Sequence, residues 1–304
     1  MCCLFGIVDY GHSLSARQKN RILTALAISA ESRGTDATGI AYFSQGRLHI
    51  YKRPVPAHRM RFRVPEDAAV IMGHTRMATQ GDAKLAYNAH PFLGTSKEGP
   101  FALAHNGMIH NDDMLRRTQW LPGTKIETDS YVAVQLLEKK QTLDFKSLRY
   151  MAEQLEGSFT ITALGSGNVL YFVKGDNPIC IYRFPSLGLY LYASTEEILK
   201  TALRQFKLPR HTVIQVRCSD ILRINADGST DRSHFDDTKL LCRWYSSVWD
   251  NYLPRTTWQA SDPYLEDLKS VAMSFGYSPE DIGILARQGF TAEDIEEFLY
   301  GGEL

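Results

Sequence analysis

The first eight residues, Met-Cys-Cys-Leu-Phe-Gly-Ile-Val, are apolar throughout, so the chain starts directly in core-forming sequence. A run this short fits a buried strand, which brings Cys2 to a strand end. The rest of the layout follows from that start. Residues 15–30 carry Leu and Ile at helical spacing and read as an amphipathic helix. Residues 39–43 and 47–53 form a hairpin around Ser44-Gln45-Gly46, and residues 69–76 and 101–109 are further strands. Residues 131–139 and 145–155 look helical. Short strands follow at 160–163, 170–174, 179–183 and 189–193, separated by Gly165-Ser166-Gly167 and Pro185-Ser186-Leu187-Gly188. Strands in series with helices before and after imply an α+β fold of two packed antiparallel sheets covered by helices.

Composition narrows the function classes. The chain has 304 residues, zero formal net charge and 44% hydrophobic residues, enough for one large core and a small appendage. A balanced charge leaves no footprint for nucleic acid. No apolar run approaches the ~20 residues of a membrane span, and no secretory signal opens the chain. The cysteines at 2, 3, 180, 218 and 242 form no disulfide framework, which fits a reducing cytoplasm. Nine histidines lack metal spacing, so neither a metal nor a cofactor is expected. From about residue 230 the character changes. We read residues 2–225 as the main domain, 226–260 as a linker and 261–304 as a helical tail. In the tail, Ser278-Pro279-Glu280-Asp281-Ile282 and Thr291-Ala292-Glu293-Asp294-Ile295 are two capping boxes, with Gly289 and Gly301 as stops. Together with residues 263–275 they make a three-helix unit that either docks a partner or folds back on its own domain.

Cys2 gives the chain a chemistry as well as a starting strand. The initiator is usually trimmed before a small side chain, which would leave a thiol and a free α-amine on one residue. Their ordinary pKa values, roughly 8.5 and 7.7–8.0, both lie near neutral pH. One residue would then hold a nucleophile and its own base. Downstream lie Arg33-Gly34-Thr35-Asp36-Ala37-Thr38-Gly39, then Gly73-His74-Thr75-Arg76-Met77-Ala78-Thr79-Gln80-Gly81. Asn88-Ala89-His90-Pro91, His105-Asn106-Gly107 and Glu127-Thr128-Asp129 follow. In this order they resemble the glutaminase domain of class II glutamine amidotransferases, which are N-terminal nucleophile hydrolases, and most of all that of glucosamine-6-phosphate synthase. The likeness runs over about residues 2–225, through Leu155-Glu156-Gly157-Ser158-Phe159 and Ala193-Ser194-Thr195-Glu196.

The resemblance implies an αββα sandwich and a set of roles. Cys2 attacks the glutamine amide, and the Asn106 side chain and Gly107 N–H hold the oxyanion. Arg76 clamps the substrate carboxylate with help from Thr79, and Asp129 pairs with its ammonium group. Arg33, His74 and Gln80 support, with Arg33 orienting the first strand. Alone, Asn106-Gly107 reads as a hairpin turn, Arg76 as a salt-bridge partner and Asp129 as a helix N-cap. Three positions depart from the family pattern: Cys3 stands for glycine, Met77 for tryptophan and Gln80 for histidine. No sugar-phosphate isomerase or ATP-using domain follows residue 225. The expectation is therefore a cytoplasmic glutaminase, with a homo-oligomer as one assembly open to it, whose ammonia goes to a synthase on another chain. The alternatives are an amidohydrolase for another γ-glutamyl amide and a catalytically idle glutamine sensor or scaffold.

Overall fold

The computed structural model describes residues 2–240 and 277–287, with residues 265, 268, 269, 272, 295, 296 and 299. Two compact units divide the chain, Met1–Leu240 and Leu241–Leu304. The first opens with β1 (Cys3–Asp9), α1 (Ala16–Ala30), the hairpin β2 (Ala37–Ser44) and β3 (Arg47–Arg53), and β4 (Val70–Arg76). Then come β5 (Phe92–Ser96), β6 (Gly99–Ile109), α2 (Asp112–Thr118), α3 (Tyr131–Lys140) and α4 (Phe145–Gln154). A meander of β7 (Gly157–Gly165), β8 (Val169–Lys174), β9 (Cys180–Phe184) and β10 (Leu189–Ala193) leads to α5 (Glu196–Leu203). The unit closes with β11 (Thr212–Ile214), β12 (Asp220–Ile224) and β13 (Thr230–His234).

The strands form two antiparallel sheets, β11-β9-β10-β1-β4-β2-β3 and β13-β12-β8-β7-β6-β5. Their pleats explain the layering. On β1, Cys3, Phe5 and Ile7 pack against Leu23 and Leu26 of α1 and Leu199 of α5. The intervening Leu4 and Val8 pack against Ala102, Ala104 and Phe172 of the other sheet. That sheet turns Leu103, Phe159 and Ile161 outward onto Leu136, Leu148 and Met151 of α3 and α4. The result is the αββα sandwich. Each Val, Leu, Ile, Phe or Met among them, once fully buried, contributes about 1.5–3 kcal/mol.

Local chemistry sets the element ends. Ser15 caps α1 reciprocally with Gln18, whose side chain accepts from the Ser15 N–H at 2.9 Å. Gln45 and Gly46 close the β2–β3 hairpin, both with positive φ. On α1, Lys19 is fully buried and meets Asp9 of β1 at 3.2 Å. Its ammonium also donates to the carbonyls of Glu66 and Ala68, and Asp9 accepts from the N–H groups of Ser13 and Leu14.

Part of the stretch expected to be linker belongs to the sandwich. Residues 230–234 form β13, which pairs along β12, with Arg223–Asp231 and Arg232–Asp220 bridges at 2.8 and 2.9 Å. The sequence Thr-Asp-Arg-Ser-His lacks an apolar face, so only backbone pairing and charge reveal the strand. Linker residues 241–260 lie outside the described residues. So do most of the expected tail helices at 263–275 and 291–300. In the second unit, α6 (Pro279–Arg287) begins at Ser278, whose hydroxyl accepts from the Asp281 N–H at 3.2 Å. Leu265, Leu268, Ala272, Ile282, Ala286, Ile295 and Leu299 form its core. No helix among the described residues is long and apolar enough to cross a membrane.

Candidate active site

The pleat that builds the layers also gathers the site. Leu4 and Val8 face the gap between the sheets, and Cys2 shares their parity just before β1. On β4, Val70 and Met72 face the same gap, which assigns His74 and Arg76 to it. On β6, Ala102 and Ala104 do so, which assigns Asn106. Cys3 pairs with Thr75 across β1 and β4, so Cys2 and Arg76 emerge side by side. Three motifs far apart in sequence thus open onto one space.

Asn106 and Gly107 sit inside the eleven-residue β6, opposite Thr160 and Phe159, and do not form a hairpin turn. Gly107 has φ +149, and a Cβ there would lie 1.9 Å from the Ser158 carbonyl oxygen. Glycine is required. Phe159 directs its N–H to Asp176 and its carbonyl to the Gly175 N–H, so β7 does not engage the Gly107 N–H. On the other side, β5 stops opposite Leu103. Asp129 occupies the position beyond it, where its carboxylate accepts from the Ile109 N–H at 2.6 Å. Asp129 is therefore not the N-cap of α3. The residue at that position is Ser130, which makes no side-chain cap and instead has its hydroxyl 2.8 Å from His105 Nδ1.

The electrostatics are those of a buried, water-poor site. Burial pushes the Cys2 thiol above its ordinary value, Asp129 adds to this and Arg76 opposes it. At neutral pH the thiol is protonated and requires a base. Cys3 points to the helical layer, fully buried, with its thiol pushed up to about 11 by the same desolvation. It does not share the site. His74, fully buried, drops to about 3, mainly by desolvation, and sits 3.0 Å from the His105 carbonyl oxygen. His90 packs against it, with ring centroids 4.2 Å apart and the planes tilted by 39°. These histidines are neutral packing groups, and no cluster among the described residues could hold a metal ion.

Several polar atoms have no partner. Both side-chain atoms of buried Asn106 and Nη1 of Arg76 make no hydrogen bond. Each such group costs about 1–3 kcal/mol if left unpaired. The second terminal nitrogen, Arg76 Nη2, donates to the carbonyls of Gln80 and Gly81 at 2.6 and 3.1 Å. The Cys2 thiol donates to the Met77 carbonyl at 3.6 Å. The loop after β4 therefore lies over both groups. Arg33 donates to the Cys2 carbonyl at 3.0 Å. Thr79 and Gln80 are exposed on the loop, and Gln80 contributes its carbonyl rather than its side chain. Sequence reasoning missed Asn88 and Glu127, which exchange hydrogen bonds at 2.8 and 3.0 Å beneath the loop. A separate cavity of about 480 Å³, lined by Tyr42, His49, Arg61 and Arg63, contains none of these residues.

A family model described as class-II glutamine amidotransferases matches residues 4–174. The chain belongs to that family. It is 34% identical over 184 residues to glutamine–fructose-6-phosphate aminotransferase [isomerizing] of Bacillus thuringiensis subsp. konkukian (strain 97-27), covering 58% of this chain and 30% of that one. The enzyme of the same name from Chlamydia muridarum (strain MoPn / Nigg) is 29% identical over 267 residues, covering 78% of this chain and 41% of the other. This glutamine amidotransferase thus spans about 30% of the length of the first of these relatives. Among solved structures, glutamine phosphoribosylpyrophosphate amidotransferase from B. subtilis, complexed with ADP and GMP, superposes with a TM-score of 0.61 at 21% identity. That match covers 77% of this chain and 49% of the other. The two share the fold.

Proposed function

We propose that this chain hydrolyses the side-chain amide of glutamine to glutamate and ammonia through a thioester on Cys2. The observation that carries the reading is the set of unpaired polar atoms: the Asn106 amide and one Arg76 nitrogen, buried beside a thiol. An amide substrate with a carboxylate at its far end supplies the partners they lack. Arg76 takes the carboxylate, Asp129 the ammonium, and Asn106 Nδ2 with the Gly107 N–H the developing oxyanion.

Removal of Met1 frees the Cys2 amine, which takes the thiol proton. The sulfur then attacks the amide carbon, and the carbonyl electron pair moves to oxygen. Collapse expels nitrogen, which receives the proton from the amine and leaves as ammonia. Water, deprotonated by the same amine, attacks the thioester, and glutamate departs as the thiol is restored. Ammonia passes to an acceptor on a synthase that the 261–304 unit docks in the cytoplasm.

A glutamine-mimicking diazo-ketone, followed by mass analysis of the N-terminal peptide, tests this. We expect an adduct on Cys2 with Met1 gone, and ammonia release from glutamine in the unlabelled protein. An unlabelled peptide that keeps Met1 would leave the chain as a binding domain.

A further inference from the structure

Residues 77–88 leave β4 directly after Arg76 and cross the site. Their near end touches the chemistry, with the Met77 carbonyl on the Cys2 thiol and the Gln80 and Gly81 carbonyls on Arg76. The loop therefore decides which guanidinium nitrogen remains open. Its far end is tied to one carboxylate. Oxygen Oε2 of Glu127 accepts from the Asp82 N–H at 2.9 Å and from Asn88 Nδ2 at 2.8 Å. Asn88 accepts in return from the Glu127 N–H at 3.0 Å, and its Nδ2 also donates to the Asp82 carbonyl at 3.1 Å. Lys125 sits over the Tyr87 ring at 5.1 Å. Gly81, with φ +76, lets the loop approach so closely that a Cβ would stand 3.0 Å from that of Glu127.

Two residues beyond Glu127 is Asp129. It is held independently, by the Ile109 N–H and through Arg116, which donates to the Thr128 carbonyl at 3.0 Å. Asp129 is thus the fixed side of this arrangement and the loop is the side being positioned. Asn88 is fully buried, whereas Glu127 is exposed to solvent. A tie with one solvated anchor can release and re-form, which a loop over a substrate site needs.

We infer that Glu127 is a positioning residue for glutamine recognition: its carboxylate latches the 77–88 loop, and with it the open face of Arg76, at a set distance from Asp129. This rests on the glutaminase reading above. A single anionic oxygen holds two N–H donors here, so glutamine at this position keeps part of that side-chain tie, whereas alanine keeps only the backbone bond to Asn88.

The test uses the full chain as wild type, Glu127→Ala and Glu127→Gln, with two measurements on each. The first is KM and kcat for ammonia release from glutamine. The second is the rate of trypsin cleavage after Lys84, an exposed residue in the middle of the loop, followed by the mass of that fragment. Glu127→Ala is expected to raise KM about tenfold with kcat within about threefold, and to be cut at Lys84 several times faster; Glu127→Gln falls between. A KM within about twofold of wild type in Glu127→Ala overturns the inference, as does unchanged cleavage at Lys84. If wild type releases no ammonia, the glutaminase reading and the role in glutamine recognition fall together. Cleavage at Lys84 then decides separately whether the latch exists.

Discussion

In the proposed mechanism Asn106 combines an oxyanion-holding role with a structural cost in one side chain. Its buried amide makes no hydrogen bond within the protein, so an unsatisfied group stands where an apolar one would cost less. Asn106→Ala is therefore expected to separate activity from stability. Loss of one oxyanion donor should lower kcat by roughly 10²–10³ with a much smaller change in KM. The thermal midpoint should hold or rise, because two orphaned atoms leave the core. Steady-state kinetics and a melting curve on the same preparation check both halves. Arg76 differs, since the loop carbonyls already engage one of its nitrogens and its removal would strand them. At this scale the sequence was informative about residue types and silent about pairing. Cys2, Arg76, Asn106 and Asp129 could be named from their motifs. Asn88 and Glu127, 39 positions apart, could not be paired without the fold.

Elements with one strongly apolar face were readable in advance: β1, α1, the β2–β3 hairpin, β4, β6 and the β7–β10 meander. Those that escaped carry little periodic signal. β5 is five residues interrupted by Gly94, β11 is three residues, and β13 has no apolar face. The α2 and α5 helices span only seven and eight residues. The helix–strand contact through Lys19 and Asp9 was equally hidden, because a lysine on an amphipathic helix normally reads as solvated. Both residues are fully buried, which makes a prediction about the α1–β1 junction. Lys19→Met alone strands the Asp9 charge and should cost about 3–5 kcal/mol in urea unfolding. The double change Lys19→Met with Asp9→Asn should recover much of that loss, since no charge is then left uncompensated. Equal losses in the single and double variants would mean that the pair acts only through packing.

Across the whole sandwich, the buried histidines tie stability to pH. His74 has its pKa lowered to about 3 by burial, and those of His90 and His105 are lowered by the same cause. The unfolded chain binds protons at these rings near pH 6.5, and the folded chain does not. Their contribution is complete above pH 6.5 and falls as the pH drops toward the lowered values. Urea midpoints from pH 7 to 4 should show this decline, and a His74→Gln variant should show a shallower one. Family membership and the four-layer architecture were both within reach of the sequence, because the motifs occur in family order and the strands between them carry one apolar face each. The extent of the sandwich was not, since its last strand is polar. The pleat at β1 also makes the start of the molecule sensitive to spacing and indifferent to composition. Cys3→Ala leaves Cys2 on the inner face, and labelling of Cys2 should persist. Deleting Cys3 instead shifts Cys2 by one step of a two-step repeat and turns it toward the helices. The same atoms, one position along, would then face the wrong room, and labelling should vanish although every residue of the proposed site is still encoded.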